Sequence, residues 1–94
     1  MDLSDWRERI DELDRQLVEL LSARAECARA VGQLKRANSL ATCDPNRETS
    51  VLEHVARLSS GALGPEALRR IFSQIIAEMR AVQDAERTAQ QIGR

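Results

Sequence analysis

The sequence predicts an all-α fold: three helices per chain, one long and N-terminal and two shorter, assembled as an intertwined homodimer. Three features carry this expectation. The 94 residues include only two prolines and four glycines, and 2% are aromatic against 43% hydrophobic and 31% charged. Such a composition suits long helices in one small domain. Apolar residues also recur at three- and four-residue steps in three blocks, with no strand-like alternation. Finally, the first block is longer than a compact chain of this size can cover.

In that block the apolar positions are Trp6, Ile10, Leu13, Leu17, Leu20, Cys27, Val31 and Leu34. Ser4 is the expected N-cap and Asn38-Ser39 the stop, so helix 1 is expected over about 4–37. Gly32 is its weak point, costing ~1 kcal/mol against Ala. At about 1.5 Å per residue the helix is a rod of roughly 50 Å, whereas a compact chain of this length has a radius of gyration near ~12 Å. The overhanging seam needs a partner, and a two-fold dimer with interlocked helices supplies one.

Asp44 as N-cap and Pro45 in the first turn open helix 2, expected over about 45–59. Its apolar positions are Val51, Leu52, Val55 and Leu58, and Ser59-Ser60-Gly61 closes it. Pro65 opens helix 3, expected over about 65–90. Leu68, Ile71, Phe72, Ile75, Ile76, Met79 and Val82 form its buried side, and the tail from Gln90 to Arg94 is expected to fray.

A formal net charge of −1 argues against a general polyanion binder, so no nucleic-acid partner is expected. The charged N-terminus has no apolar leader segment, and no stretch reaches membrane-spanning length, so no membrane partner is expected either. Cys27 and Cys43 form neither a CxxC nor a metal-ligand pattern. They read as reduced thiols in a cytoplasmic protein, without metal or cofactor.

The helix 1 seam has one exception. Position 24 should be apolar and is Arg24. A guanidinium there needs an anion, either an acidic side chain on another helix or a ligand. Arg24, Ala28, Val31 and Lys35 share one face, and the two cations lie ~16 Å apart along the axis. They can lean toward each other over small residues and frame a site for a dianion. Lys35 alone would read as a solvated charge at a helix C-terminus. Arg7 lies roughly 42 Å from Lys35 on the same rod, so it can serve that site only from the partner helix of an antiparallel dimer. On helix 3, Gln83 ends the stripe of Phe72, Ile76 and Met79 with an amide; it is either a boundary residue or a donor.

These residues, with the turn from Asp44 to Glu48, resemble the all-helical chorismate mutase family. The likeness covers nearly the whole chain, through WRERIDELDRQLVELLSARAECARAVGQLK, DPNRETSVL and IFSQIIAEMRAVQ in that order. The resemblance implies an intertwined dimer of three-helix chains that rearranges chorismate to prephenate. It further implies that Arg24 and Arg47, with Arg7 of the second subunit, bind the substrate carboxylates. Lys35 and Gln83 would donate to the ether oxygen of the breaking bond. Glu48, with the backbone around Asp44, would receive the ring hydroxyl, and Val31 would form part of the wall.

Such a unimolecular rearrangement needs no nucleophile, metal or proton transfer, only a held conformer and donors aimed at developing charge. One position departs from the family pattern. Met79 stands where many members carry a serine whose hydroxyl touches a substrate carboxylate. The departure bears on the substrate, since related enzymes rearrange 4-amino-4-deoxychorismate or eliminate pyruvate from isochorismate on the same scaffold. A non-catalytic helical docking or regulatory module is the alternative outside enzymes, and the complete site set argues against it. Asn46 and His54 read as surface residues, and Cys43 as incidental.

Overall fold

The first helix begins one residue earlier than the sequence suggests, because its start is fixed by two aspartates rather than by Ser4. In the computed structural model, which describes residues 1–92, α1 spans Leu3–Ala37 with Asp2 as N-cap. The Asp2 carboxylate accepts the Asp5 backbone N–H at 2.9 Å, and the Asp5 carboxylate accepts that of Asp2 at 3.0 Å. This reciprocal pair satisfies two otherwise unpaired donors and puts negative charge at the positive end of the helix. Ser4 falls inside the first turn, where its hydroxyl cannot cap.

At the other end, Asn38 closes α1 by donating both its backbone N–H and its side-chain amide to Leu34 O, at 3.1 and 2.8 Å. Ser39 then takes a left-handed conformation, φ 57°, which reverses the chain and lets Leu40 N–H reach Lys35 O at 2.7 Å. The second helix, α2, spans Pro45–Arg57, with the Asp44 carboxylate accepting Arg47 N–H at 3.2 Å. It stops at Arg57, short of residue 59. The third, α3, spans Pro65–Ile92. The backbone is thus helical through the first part of the tail expected to fray, while residues 93–94 lie outside the described residues.

α3 is the shared partner. α1 and α2 each pack on it and not on each other. Both packings are antiparallel. Lys35 meets Gln83 while Arg29 meets Glu86, and Glu48 meets Arg80 while Glu53 meets Arg69. The buried apolar core is small: Ala28 from α1, Val55 and Ala56 from α2, Ile76 and Met79 from α3.

Two expected buried residues are not covered. Leu58 and Ile71 are 64% and 46% exposed, because α1 lies against the C-terminal half of α3 and leaves the α2–α3 turn with a single neighbour. The seam of α1 is uncovered as well, with Trp6 at 55% and Leu20 at 67% exposed, and only Ala28 and Gly32 of this helix are buried. The radius of gyration is 16.7 Å, and the longest of the three extents, 56 × 28 × 14 Å, follows from the length of α1.

The capping pair gives a direct check. Asp2→Ala should lower unfolding stability by about 1 kcal/mol, whereas Ser4→Ala should change it by a few tenths at most. Urea unfolding followed by circular dichroism measures both.

Candidate functional site

A cavity of about 400 Å³ opens where the C-terminal half of α1, the start of α2 and the middle of α3 converge. Its apolar wall comes from Ala28, Val31, Val51, Ile76 and Met79. Around this wall stand Arg24 and Lys35 from α1, Asp44 and the α2 residues Arg47 and Glu48, and Arg80 and Gln83 from α3. The structure therefore brings together eight of the nine site residues expected from the sequence: Arg24, Val31, Lys35, Asp44, Arg47, Glu48, Met79 and Gln83. The ninth, Arg7, is exposed on the N-terminal part of α1, away from the cavity of its own chain.

Local structure aims each group. The left-handed reversal at Ser39 brings the connector back past the end of α1, so that Lys35 Nζ donates to Thr42 O at 2.7 Å. Lys35 also donates to Gln83 Oε1 at 3.2 Å. The Gln83 oxygen is thereby engaged, and its Nε2 donates to no protein group among the described residues. An ammonium and an amide N–H₂ thus stand side by side, both able to donate into the cavity. On α2, Asp44 spends its carboxylate on the Arg47 backbone, which fixes Arg47 and Glu48 in the first turn, near the positive end of the helix.

The cations divide into two kinds. Arg24 and Arg47 make no ion pair among the described residues of the chain. Arg80, in contrast, holds both oxygens of Glu48: Nε donates to Oε2 at 3.1 Å and Nη2 to Oε1 at 2.8 Å. The hydrogen bond and charge of Glu48 raise the Arg80 pKa from its ordinary value. Cys43 also touches Glu48, with its Sγ 3.8 Å from Oε2.

Sequence reasoning missed Arg80 and Thr42. Arg80 carried a signal, since it shares the helix face of Ile76 and Gln83 and breaks the apolar stripe there. Thr42 acts through its carbonyl, and a backbone group leaves no mark in the side-chain pattern. Met79 is buried and adds apolar surface to the wall. Asn46 and His54 are exposed and outside the cavity lining. No group of three or more His, Cys, Asp or Glu among the described residues is placed to hold a metal ion, and no helix is long and apolar enough to cross a membrane.

Residues 6–84 match the family model described as chorismate mutase type II. The chain is 35% identical over 92 residues to the bifunctional chorismate mutase/prephenate dehydratases of Stutzerimonas stutzeri and Pseudomonas aeruginosa. These matches cover 93% of this chain but 25% of each relative, so the chain spans about a quarter of the length of these curated relatives. Among solved structures, the chorismate mutase from Helicobacter pylori in complex with prephenate superposes with a TM-score of 0.85 at 26% identity. That superposition covers 92% of this chain and 93% of the other.

One contact sets the depth of the cavity between α1 and α3. A Cβ added at Gly32 would lie 3.2 Å from Cα, Cβ and Cγ of Gln83. Gly32 is therefore less a weak point in α1 than a place where α3 comes close. In an open helix Gly→Ala gains ~1 kcal/mol. Here two of the three crowded atoms belong to the Gln83 backbone or its first side-chain carbon, which cannot swing away. Overpacking of this kind costs about 1–3 kcal/mol, so Gly32→Ala should lower, not raise, the urea midpoint of unfolding.

Proposed function

The chain belongs to the chorismate mutase type II family, and from that premise we propose that it catalyses the Claisen rearrangement of chorismate to prephenate. The observation that carries this reading is the arrangement of donors. Two guanidiniums with no ion pair among the described residues, Arg24 and Arg47, share a cavity of about 400 Å³ with the Lys35–Gln83 pair.

Chorismate carries one carboxylate on its ring and a second on the enolpyruvyl arm, which an ether oxygen joins to the ring. Arg24 and Arg47 can take the carboxylates as two-pronged donors, which holds the enolpyruvyl arm folded over the ring. As the C–O bond breaks, negative charge builds on the ether oxygen. Lys35 Nζ and Gln83 Nε2 are positioned to meet it, and each was already held in place before the reaction began. Lys35 is anchored by Thr42 O and Gln83 Oε1, so stabilising the charge requires little reorganisation. Glu48 can accept the ring hydroxyl. The apolar wall excludes water from one side and strengthens every charge contact inside.

The same reading makes the active unit a homodimer. The seam from Trp6 to Leu20 is exposed in the single chain, and the buried apolar core among the described residues is Ala28, Val55, Ala56, Ile76 and Met79. A second copy laid antiparallel along α1 would bury that seam and carry its own Arg7 to this cavity, adding a third carboxylate donor. Cys27 and Cys43, free and exposed, fit a reducing cytoplasmic setting.

A spectroscopic assay offering chorismate, 4-amino-4-deoxychorismate and isochorismate side by side tests the reading. Prephenate should form from the first, and a protein that consumes none of the three would overturn the proposal. Lys35→Ala should lower kcat about 10²- to 10³-fold, the usual cost of a lost transition-state donor. Gln83→Glu should make activity depend on acid, because only the protonated carboxyl donates; the rate should fall as pH rises. Sedimentation equilibrium should return twice the chain mass, and a monomer would remove the role of Arg7.

A further inference from the structure

Among the described residues, Arg80 is the one cation in the cavity lining that the proposed mechanism leaves without a task. It is not a rim residue by accident of length. It comes from α3, reaches across to α2, and holds both oxygens of Glu48 at 2.8 and 3.1 Å. Glu48 is the carboxylate that would read the ring substituent of the substrate. Resting on the function proposed above, we infer that Arg80 is a specificity-determining residue, which holds Glu48 as a charge-neutralised acceptor and so selects a substrate with a ring hydroxyl over one with a ring ammonium.

The selection is electrostatic. An ionised carboxylate has about four lone-pair positions, and Arg80 occupies one on each oxygen. A neutral hydroxyl can donate to a free position without disturbing the pair. The amino group of 4-amino-4-deoxychorismate is protonated near neutral pH and brings a positive charge. Beside an unpaired carboxylate that charge would be welcome. Beside this one it meets a guanidinium already in contact with the same oxygens, and like charges so close oppose binding. The rest of the lining works in the same direction, because Arg24, Lys35 and Arg47 add cations while Asp44 is the only other carboxylate. Arg80 also fixes the direction of Glu48, since a fork gripping both oxygens leaves the carboxylate little freedom to rotate.

The test is the ratio of kcat/KM for chorismate to that for 4-amino-4-deoxychorismate in the wild type, in Arg80→Gln and in Arg80→Lys. Circular dichroism establishes that each variant is folded. The wild type should prefer chorismate. Arg80→Gln should lower the ratio by roughly tenfold or more, chiefly by improving use of the amine, since the like charge is gone. Arg80→Lys keeps the charge but not the fork, so it should retain most of the preference while kcat on chorismate falls. Glu48→Gln removes the attraction and leaves Arg80 in place, so it should raise the ratio, and it provides a second reading should Arg80→Gln not fold. Loss of chorismate use in Arg80→Gln with an unchanged ratio would mean that Arg80 supports the fold or the site only, and would overturn the inference while leaving the proposed function standing. A wild type that prefers the amine would likewise overturn it. A wild type that turns over neither substrate would overturn the proposed function, and this inference with it.

Discussion

The geometry of the cavity depends on how closely α1 approaches α3, and that distance is set at Gly32. With no Cβ in the way, Gln83 comes up against the backbone of α1, at a spacing where an added carbon would sit 3.2 Å from three of its atoms. Lys35 lies three residues further along the same helix, nearly one turn, so the same approach that admits Gln83 also brings the Lys35 ammonium to its amide oxygen. A wider spacing would leave the two donors apart and unable to converge on one atom. The conformational cost of a glycine in the middle of a helix is therefore offset by the contact it permits.

α3 then carries that geometry to α2. Its residues 76 to 83 face both neighbours, with Gln83 turned to α1 and Arg80 to Glu48. The charged groups are consequently held unequally. Glu48, Arg80 and Lys35 are tied by hydrogen bonds to other helices or to the connector, whereas the guanidiniums of Arg24 and Arg47 make no ion pair among the described residues. Pairing them internally would favour the free chain but would require a dianion to displace an existing partner. Leaving them open raises the free energy of the empty cavity and lets a dicarboxylate recover it on binding.

Much of this was legible in the sequence because helices write their contacts at fixed intervals. The 4-3 spacing located the seam, and the single cation at position 24 marked where the cavity begins along α1. The turn at Asp44-Pro45 placed Arg47 and Glu48, since an N-cap determines which residues occupy the first helical turn. What stayed hidden depended on which helix lies beside which. Ile71 belongs to an apolar stripe yet stays 46% exposed, because α1 covers only the other half of α3. Gly32 looked like a defect because its merit is a distance to another helix. Arg80 broke the stripe visibly, but its partner lies 32 residues away on α2, beyond the reach of any local pattern. Ser4 has the chemistry of a cap, but the reciprocal bonds between Asp2 and Asp5 are what fix the start of α1.

The long first helix joins the question of stability to that of catalysis. Its C-terminal half supplies Arg24 and Lys35 to the cavity, while its N-terminal half presents an uncovered apolar seam with Arg7 beside it. With a buried core of five residues of modest size among the described residues, hydrophobic burial within one copy is meagre against the entropy of ordering three helices. Association along that seam would supply the missing burial. The same association would move Arg7 from a place where it has no function to one where an anion awaits a further donor. On this reading the partner that stabilises the fold also completes the site, so a substitution in the seam would reduce activity and stability together, whereas one at Arg7 would reduce activity alone.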